Sequence, residues 1–393
     1  MTTTDAPDDA GDDASHDAGE AAPIERAWGA EIRARIRASR NALLAGLIGG
    51  VLGGGIVFLA SPGPPANIVS FVCGSSPGDA PRLNSAILGS QPGDEILITG
   101  QCDLVSPVVL LGDRLYQGGS ETGTSLFTER ALPEVVASDS YAYNLEPAGD
   151  SFTLRDLSIN CNGAAVGLML RTAQVDVENV QIDNCVYAGL EDTNIDAMGN
   201  AETGSSSDGD FRNLFIENCG DGFLVSDSAN SVTDSVLDDS VISSSAHTGI
   251  DLGNSDGWVI DGNHLFADSG DAISASRMFA TRISNNYIED FAFGGGVADG
   301  IAATVEPGTV SEIVGNEIFN LSKGTGDYIL VNVDSGTARV AVTDNEILGN
   351  GSGVGLAYQA AGDTLVVTSA ANGVADVAQI SSRSKGVILA TSS

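Results

Sequence analysis

The sequence predicts an all-β solenoid, and three observations predict it. From about residue 150 onward one six-residue pattern recurs along the chain. Its spacing falls in the twenties and low thirties, the period of stacked coils. The units are short, rich in β-branched residues and punctuated by Gly, Asn and Asp, which marks strands and turns rather than helices.

The pattern has an apolar residue, two polar ones, a turn residue, a spacer and an apolar anchor. It reads LRDLSI (Leu154–Ile159), VENVQI (Val177–Ile182), FRNLFI (Phe211–Ile216) and LDDSVI (Leu237–Ile242). It continues as IDGNHL (Ile260–Leu265), ISNNYI (Ile283–Ile288), IVGNEI (Ile313–Ile318) and VTDNEI (Val342–Ile347). The anchors Ile159, Ile182, Ile216, Ile242, Leu265, Ile288, Ile318 and Ile347 are 23, 34, 26, 23, 23, 30 and 29 residues apart. A second beat follows the anchors, at Gly167, Gly189, Gly222, Gly249, Ala272, Gly300, Tyr328 and Gly353, each before an apolar residue. Three short strands and three turns fill such a period. Coils then stack about 4.8 Å apart, and the anchors form columns that no single coil could bury alone. The longer intervals are loops extruded from turns, which a core tolerates.

Asn263, Asn286, Asn316 and Asn345 share one column, with Ser240 before them. They resemble the asparagine ladder of right-handed parallel β-helix proteins of the pectin-lyase-like superfamily. The resemblance covers residues 71–385 and implies an all-β, right-handed parallel β-helix over 71–393 with a short N-terminal capping helix.

The remaining elements follow in chain order. Residues 1–25 carry eight acids and no Lys or Arg, which predicts a disordered tail. A basic juxtamembrane segment spans 26–41, with Arg26, Arg33, Arg35, Arg37 and Arg40. Ala42–Ala60 is 19 residues without a charge, close to the ~20 that cross a bilayer. The positive residues before it place the N-terminus in the cytoplasm and the rest outside a single-pass membrane anchor. The alternative is a cleaved signal peptide and a secreted chain. Residues 61–70 read as a linker. Within Asp79–Gly100, Leu83, Ala86 and Ile87 share a helical face, with Asp79 as N-cap and Pro92–Gly93 as stop. The strand EILITG follows.

Five cysteines suggest bridges outside the cell. Cys73 and Cys102 bracket the cap. Cys185 and Cys219 each lie three residues after an anchor and are expected to pair, which leaves Cys161 over. The alternative is that Cys161, Cys185 and Cys219 are small buried core residues.

The net charge is −36 and only Lys323 and Lys385 are lysines, which excludes nucleic acid as a partner. A polysaccharide or glycan is the expected partner, and a homo-oligomer is compatible with the sequence.

Two residues before the apolar position of the second beat stand Asp221, Thr248, Asp271, Asp299, Asp327 and Ser352. Such an Asp column either caps its own turns, binds a divalent cation, or supplies paired carboxylates for glycosidase chemistry. The catalytic candidates are Asp271 and Asp299, with His247 as acid–base. The metal candidates are Asp271, Asp299 and Asp327, with Ca2+ as the ion. Two extruded loops, EDFAFGGGVAD and FNLSKGTGD, form a predicted wall bearing Phe291, Phe293 and Lys323, with Arg277 nearby as a further substrate contact. Phe291 and Phe293 have packing of the loop as their alternative role. His264 alternates outward and reads as a solvated strand residue. Polygalacturonases of the superfamily carry N-T-D, D-D, G-H-G and R-I-K on successive coils. Here HTGID (His247–Asp251) and DSGDAIS (Asp268–Ser274) are similar to the first two. VADGIAA (Val297–Ala303) has no His, and no R-I-K follows. WVIDGNH (Trp258–His264) is similar to a pectate-lyase segment. The resemblance thus implies polysaccharide binding or processing at the cell envelope. A non-catalytic adhesin or a structural spacer is the alternative.

Overall fold

The structure is a computed structural model and describes residues 67–104, 106–119, 151–163, 166–195, 206–227 and 230–390. The acidic tail, the basic segment and the 42–60 segment lie outside the described residues. Among the described residues no helix is long and apolar enough to cross a membrane.

The described chain winds into a right-handed parallel β-helix with three sheets. The first sheet has 13 strands, from Ile68–Val72 to Val387–Ala390. The second has nine, from Ser158–Asn160 to Gly373–Ala375. The third has nine, from Val166–Leu170 to Gln379–Arg383. Every strand-to-strand pairing within the sheets is parallel, one coil to the next. The first strand begins three residues inside the segment read as a linker.

Registration follows the repeat. Ile159, Ile182, Ile216, Ile242, Leu265, Ile288, Ile318 and Ile347 are Cα partners in succession. Val374 continues the file as a ninth anchor. In the third sheet Leu190, Phe223, Ile250, Ile273, Ile301 and Ile329 form the matching inner file. There the expected frame slips once. Leu356, not Val354, pairs with Ile329, because Asp327 pairs with Val354. The stretch GVGLAY offers apolar residues two apart, and both choices keep the inward face apolar.

Buried amides bind the coils together. Asn263 Oδ1 accepts the Ser240 N–H at 3.0 Å, and Asn286 Oδ1 accepts the Asn263 N–H at 3.0 Å. Asn316 and Asn345 continue the ladder, and Asn372 ends it. Large aromatics fill the middle coils, where Trp258 stacks on Phe211 with ring centroids 6.0 Å apart. The second-beat glycines answer to close packing: a Cβ on Gly189 would lie 2.4 Å from Ile216 Cγ2.

Helix α1 spans Asp79–Gly89 and buries Ala80, Leu83 and Ile87. Asp79 lies inside the helix rather than at its N-cap, which is Gly78. Its carboxylate accepts the N–H groups of Gly74, Ser76 and Asp103, each at 3.1 Å. Burial pushes this carboxyl up, but those hydrogen bonds and Arg82 outweigh it and bring it to about 2.

Cys73 bonds to Cys102, as the sequence suggests. The second bridge differs from expectation: Cys161 bonds to Cys185, and Cys219 is a buried free thiol. Cys185 has a cysteine neighbour in the coil on either side, so spacing from the anchors left two choices. Cys161, two residues past its anchor, supplies the partner.

Candidate functional site

The Asp column exists. The registers Phe223–Ile250, Ile250–Ile273, Ile273–Ile301 and Ile301–Ile329 put Asp221, Thr248, Asp271, Asp299 and Asp327 in line at the turn before the third sheet. Each carboxylate reaches toward the next coil. Asp221 Oδ1 accepts the Thr248 N–H at 2.9 Å, Asp271 Oδ1 the Asp299 N–H at 2.6 Å, and Asp299 Oδ1 the Asp327 N–H at 2.7 Å. These bonds offset the mutual repulsion of stacked carboxylates. Burial still raises Asp271 and Asp327, and it pushes Asp299 up to about 6, with the charges of Asp271 and Asp327 adding to the effect. Calcium fits this column poorly. The ladder already engages an oxygen of each carboxylate. Among the described residues no three His, Cys, Asp or Glu side chains converge to hold an ion.

His247 meets Asp221 rather than Asp271: its Nδ1 lies 3.9 Å from Asp221 Oδ2, and its side chain is exposed. The two extruded loops do stack, joined by a bridge between Val297 and Thr325. Phe293 and Lys323 are exposed on them. Phe291 is not a substrate contact. It is fully buried and packs edge-on against Tyr328 at 5.2 Å, three residues after its anchor where other coils place Cys219 or Asp268. Arg277 is also displaced from the expected site. It lies one residue from the end of the strand that Asp271 precedes, about 20 Å along the chain, and its Nε binds Glu306 at 3.0 Å.

The outer face of the third sheet gathers residues that the sequence reading missed. Glu191 pairs with Leu224, and Leu224 with Asp251, so the two acids stand in one outward file two coils apart. Tyr187 lies within electrostatic reach of Glu191, Asp221 and Asp251, and burial followed by those charges raises its hydroxyl. Burial also raises Glu191, against the Ser226 hydroxyl and the Arg171 charge. Asp251 is raised by burial and by Asp221 and Asp271, against a hydrogen bond from Ser274. Glu191 and Asp221 are 7% and 8% exposed, which leaves their carboxyls only a narrow opening to solvent. The signal was present in GLEDT and GIDL, where an acid directly follows the second-beat apolar residue. Carboxyls raised by burial beside a phenol and an imidazole are groups of the kind that carry out proton transfer.

With this geometry established, the chain can be set beside known proteins. Residues 233–389 match the family described as right handed beta helix region. No curated protein matches the chain. Among solved structures, the A-module of mannuronan C-5 epimerase AlgE6 from Azotobacter vinelandii is similar, at 15% identity and a TM-score of 0.48, covering 79% of this chain and 95% of that one. DFA-IIIase from Arthrobacter chlorophenolicus A6 without its lid is similar at 13% identity and a TM-score of 0.45, covering 84% and 92%. The GH136 lacto-N-biosidase from Eubacterium ramulus is similar at 10% identity and a TM-score of 0.39, covering 76% and 64%.

Proposed function

We propose that this protein binds and hydrolyses polysaccharide on the outer face of the third sheet. One observation carries the reading: Glu191 and Asp251 share an outward file with Leu224 between them. Two coils separate their backbones by about 9.6 Å. That is near the upper end of the carboxyl spacing of inverting glycosidases, which leaves room for a water. Glu191, the more buried acid, is the general acid that donates a proton to the leaving oxygen. Asp251 activates the water. Tyr187 lies beside the pair, His247 stands near Asp221, and Asp271 acts on Asp251 through its charge. Helix α1 serves as the cap of the stack. The 42–60 segment tethers the domain outside the cell, or is cleaved to release it, and two disulfides support an oxidising compartment. Binding without turnover is the second reading, favoured by the ladder that ties Asp271 and Asp299 to backbone N–H groups.

The test is a hydrolysis screen of the full chain against neutral and anionic polysaccharides, with product anomers read by NMR. Glu191→Gln and Asp251→Asn are expected to lower kcat ~100-fold or more with unchanged thermal unfolding, and the first product is expected to show inverted configuration. Asp299→Asn is expected to leave most of the rate. Full activity in both Glu191→Gln and Asp251→Asn would sink the assignment.

A further inference from the structure

The outer face of the second sheet carries a feature that the proposed catalysis does not use. His264, Phe266, Tyr287, Glu289 and Phe319 all alternate outward from strands whose middle residues, Leu265, Ile288 and Ile318, are anchors in the core. The rings touch in series. His264 lies 4.9 Å from Phe266 and 5.0 Å from Tyr287, and Tyr287 lies 5.5 Å from Phe319, all between centroids. None of these rings is buried.

A carboxylate sits among them. The registers Phe266–Glu289 and Glu289–Phe319 place Glu289 midway in a file with an aromatic ring on each side. Phe266 and Phe319 are therefore two coils, about 9.6 Å, apart, close to the length of one disaccharide. His264 Nε2 lies 3.0 Å from Glu289 Oε2, and the Tyr287 hydroxyl also hydrogen-bonds this carboxylate, which together fix it. The side chain of Glu289 is 41% exposed. His264, and then Tyr287, hold this carboxyl below its usual range, so it stays an acceptor at neutral pH.

We infer that this face is a second glycan-binding platform, on which alternate sugars of an uncharged, hydroxyl-rich chain lie over Phe266 and Phe319 while Glu289, under the sugar between them, accepts hydroxyl hydrogens. Sugar rings present apolar C–H faces that pack on aromatic faces, and hydroxyls make strong hydrogen bonds to an ionised carboxylate. Charge selects the ligand. Glu217, Glu317 and Glu346 also point outward here, and no outward position on the second-sheet strands from Ser158–Asn160 to Gly373–Ala375 is Lys or Arg. Uronate, sulfated and phosphorylated chains are repelled. The platform lies on a different sheet from Glu191 and Asp251, so it stands or falls separately from the proposed hydrolysis.

Native affinity electrophoresis of the full chain tests it, with gels containing hydroxyethylcellulose, soluble starch or alginate. Retardation is expected in at least one uncharged polymer and not in alginate. Phe319→Ala and Glu289→Gln are each expected to weaken it at least 5-fold while thermal unfolding and hydrolysis of short oligosaccharides stay as in the parent. Glu289→Gln keeps the side-chain shape, so its loss of binding cannot come from misfolding. The inference is overturned by no retardation in either uncharged polymer, by equal retardation in both variants and the parent, or by alginate binding as strong as that of the uncharged chains.

Discussion

Asn286 Oδ1 accepts two hydrogen bonds from Asn263, one from its backbone N–H at 3.0 Å and one from Nδ2 at 3.0 Å. Asn286 repeats the arrangement toward Asn316, with its Nδ2 donating to Asn316 Oδ1 at 2.9 Å and to the Ile260 carbonyl at 3.0 Å. One buried amide thus satisfies two backbone groups of the preceding coil and links to the side-chain amide of the next. Burial without a partner is what makes polar groups costly, and here each has one.

Asn286→Ala removes an acceptor that two buried donors share. The expected destabilisation is about 2–4 kcal/mol, from unsatisfied groups at ~1–3 kcal/mol each. Asn372→Ala, at the partly exposed end of the ladder, is expected to cost less. Urea unfolding followed by circular dichroism compares the two, and equal losses would show that the ladder is not cooperative along its length.

The core was legible because its signals repeat. Eight anchors and four asparagines recur at one offset, and each coil's error is corrected by its neighbours. Asn372 escaped only because its anchor, Val374, lies in AANGVAD, where the leading apolar position is Ser369. Outward residues have no such redundancy. Glu191 and Asp251 share a file with Leu224, Ser274 and Ala302, so no column of one chemistry marks them. The Asp column stood out for the opposite reason: its hydrogen bond to the N–H of the next coil repeats. Cys185 shows a third limit, since a residue with equivalent neighbours above and below cannot be paired from spacing.

Asp268 points inward from the turn after Leu265, where its Oδ1 accepts the Ser245 N–H at 2.9 Å and its Oδ2 is buried without a partner. Burial pushes this carboxyl up to about 7. The folded chain keeps the proton up to that pH, whereas the unfolded chain loses it near 3.8. The neutral group therefore favours folding fully below about 3.8, and the advantage disappears as pH rises toward 7. Asp268→Asn mimics the neutral form at all pH values. It is expected to match the parent at pH 4 and to exceed it at pH 8 by up to ~4 kcal/mol, at 1.36 kcal/mol per unit. Asp192, also fully buried and raised to about 8, predicts the same sign for Asp192→Asn. Parallel stability curves for parent and variant across pH 4–8 would contradict the buried-acid account.

Cys219 lies in the coil next to Cys185, inside the core and 2% exposed. Burial pushes its thiol up to about 12, with the Asp183 and Glu217 charges adding to that, so almost no thiolate forms at neutral pH. Native protein is therefore expected to resist alkylation by iodoacetamide. Unfolding without reductant should expose one reactive thiol, at Cys219. Proteolysis under the same conditions should then yield peptides joined as Cys73–Cys102 and Cys161–Cys185. Recovery of a Cys185–Cys219 peptide, with label on Cys161, would reverse the pairing and restore the arrangement that the anchor spacing first suggested. The two outcomes differ in which peptide carries the label, so mass spectrometry of a single digest decides between them.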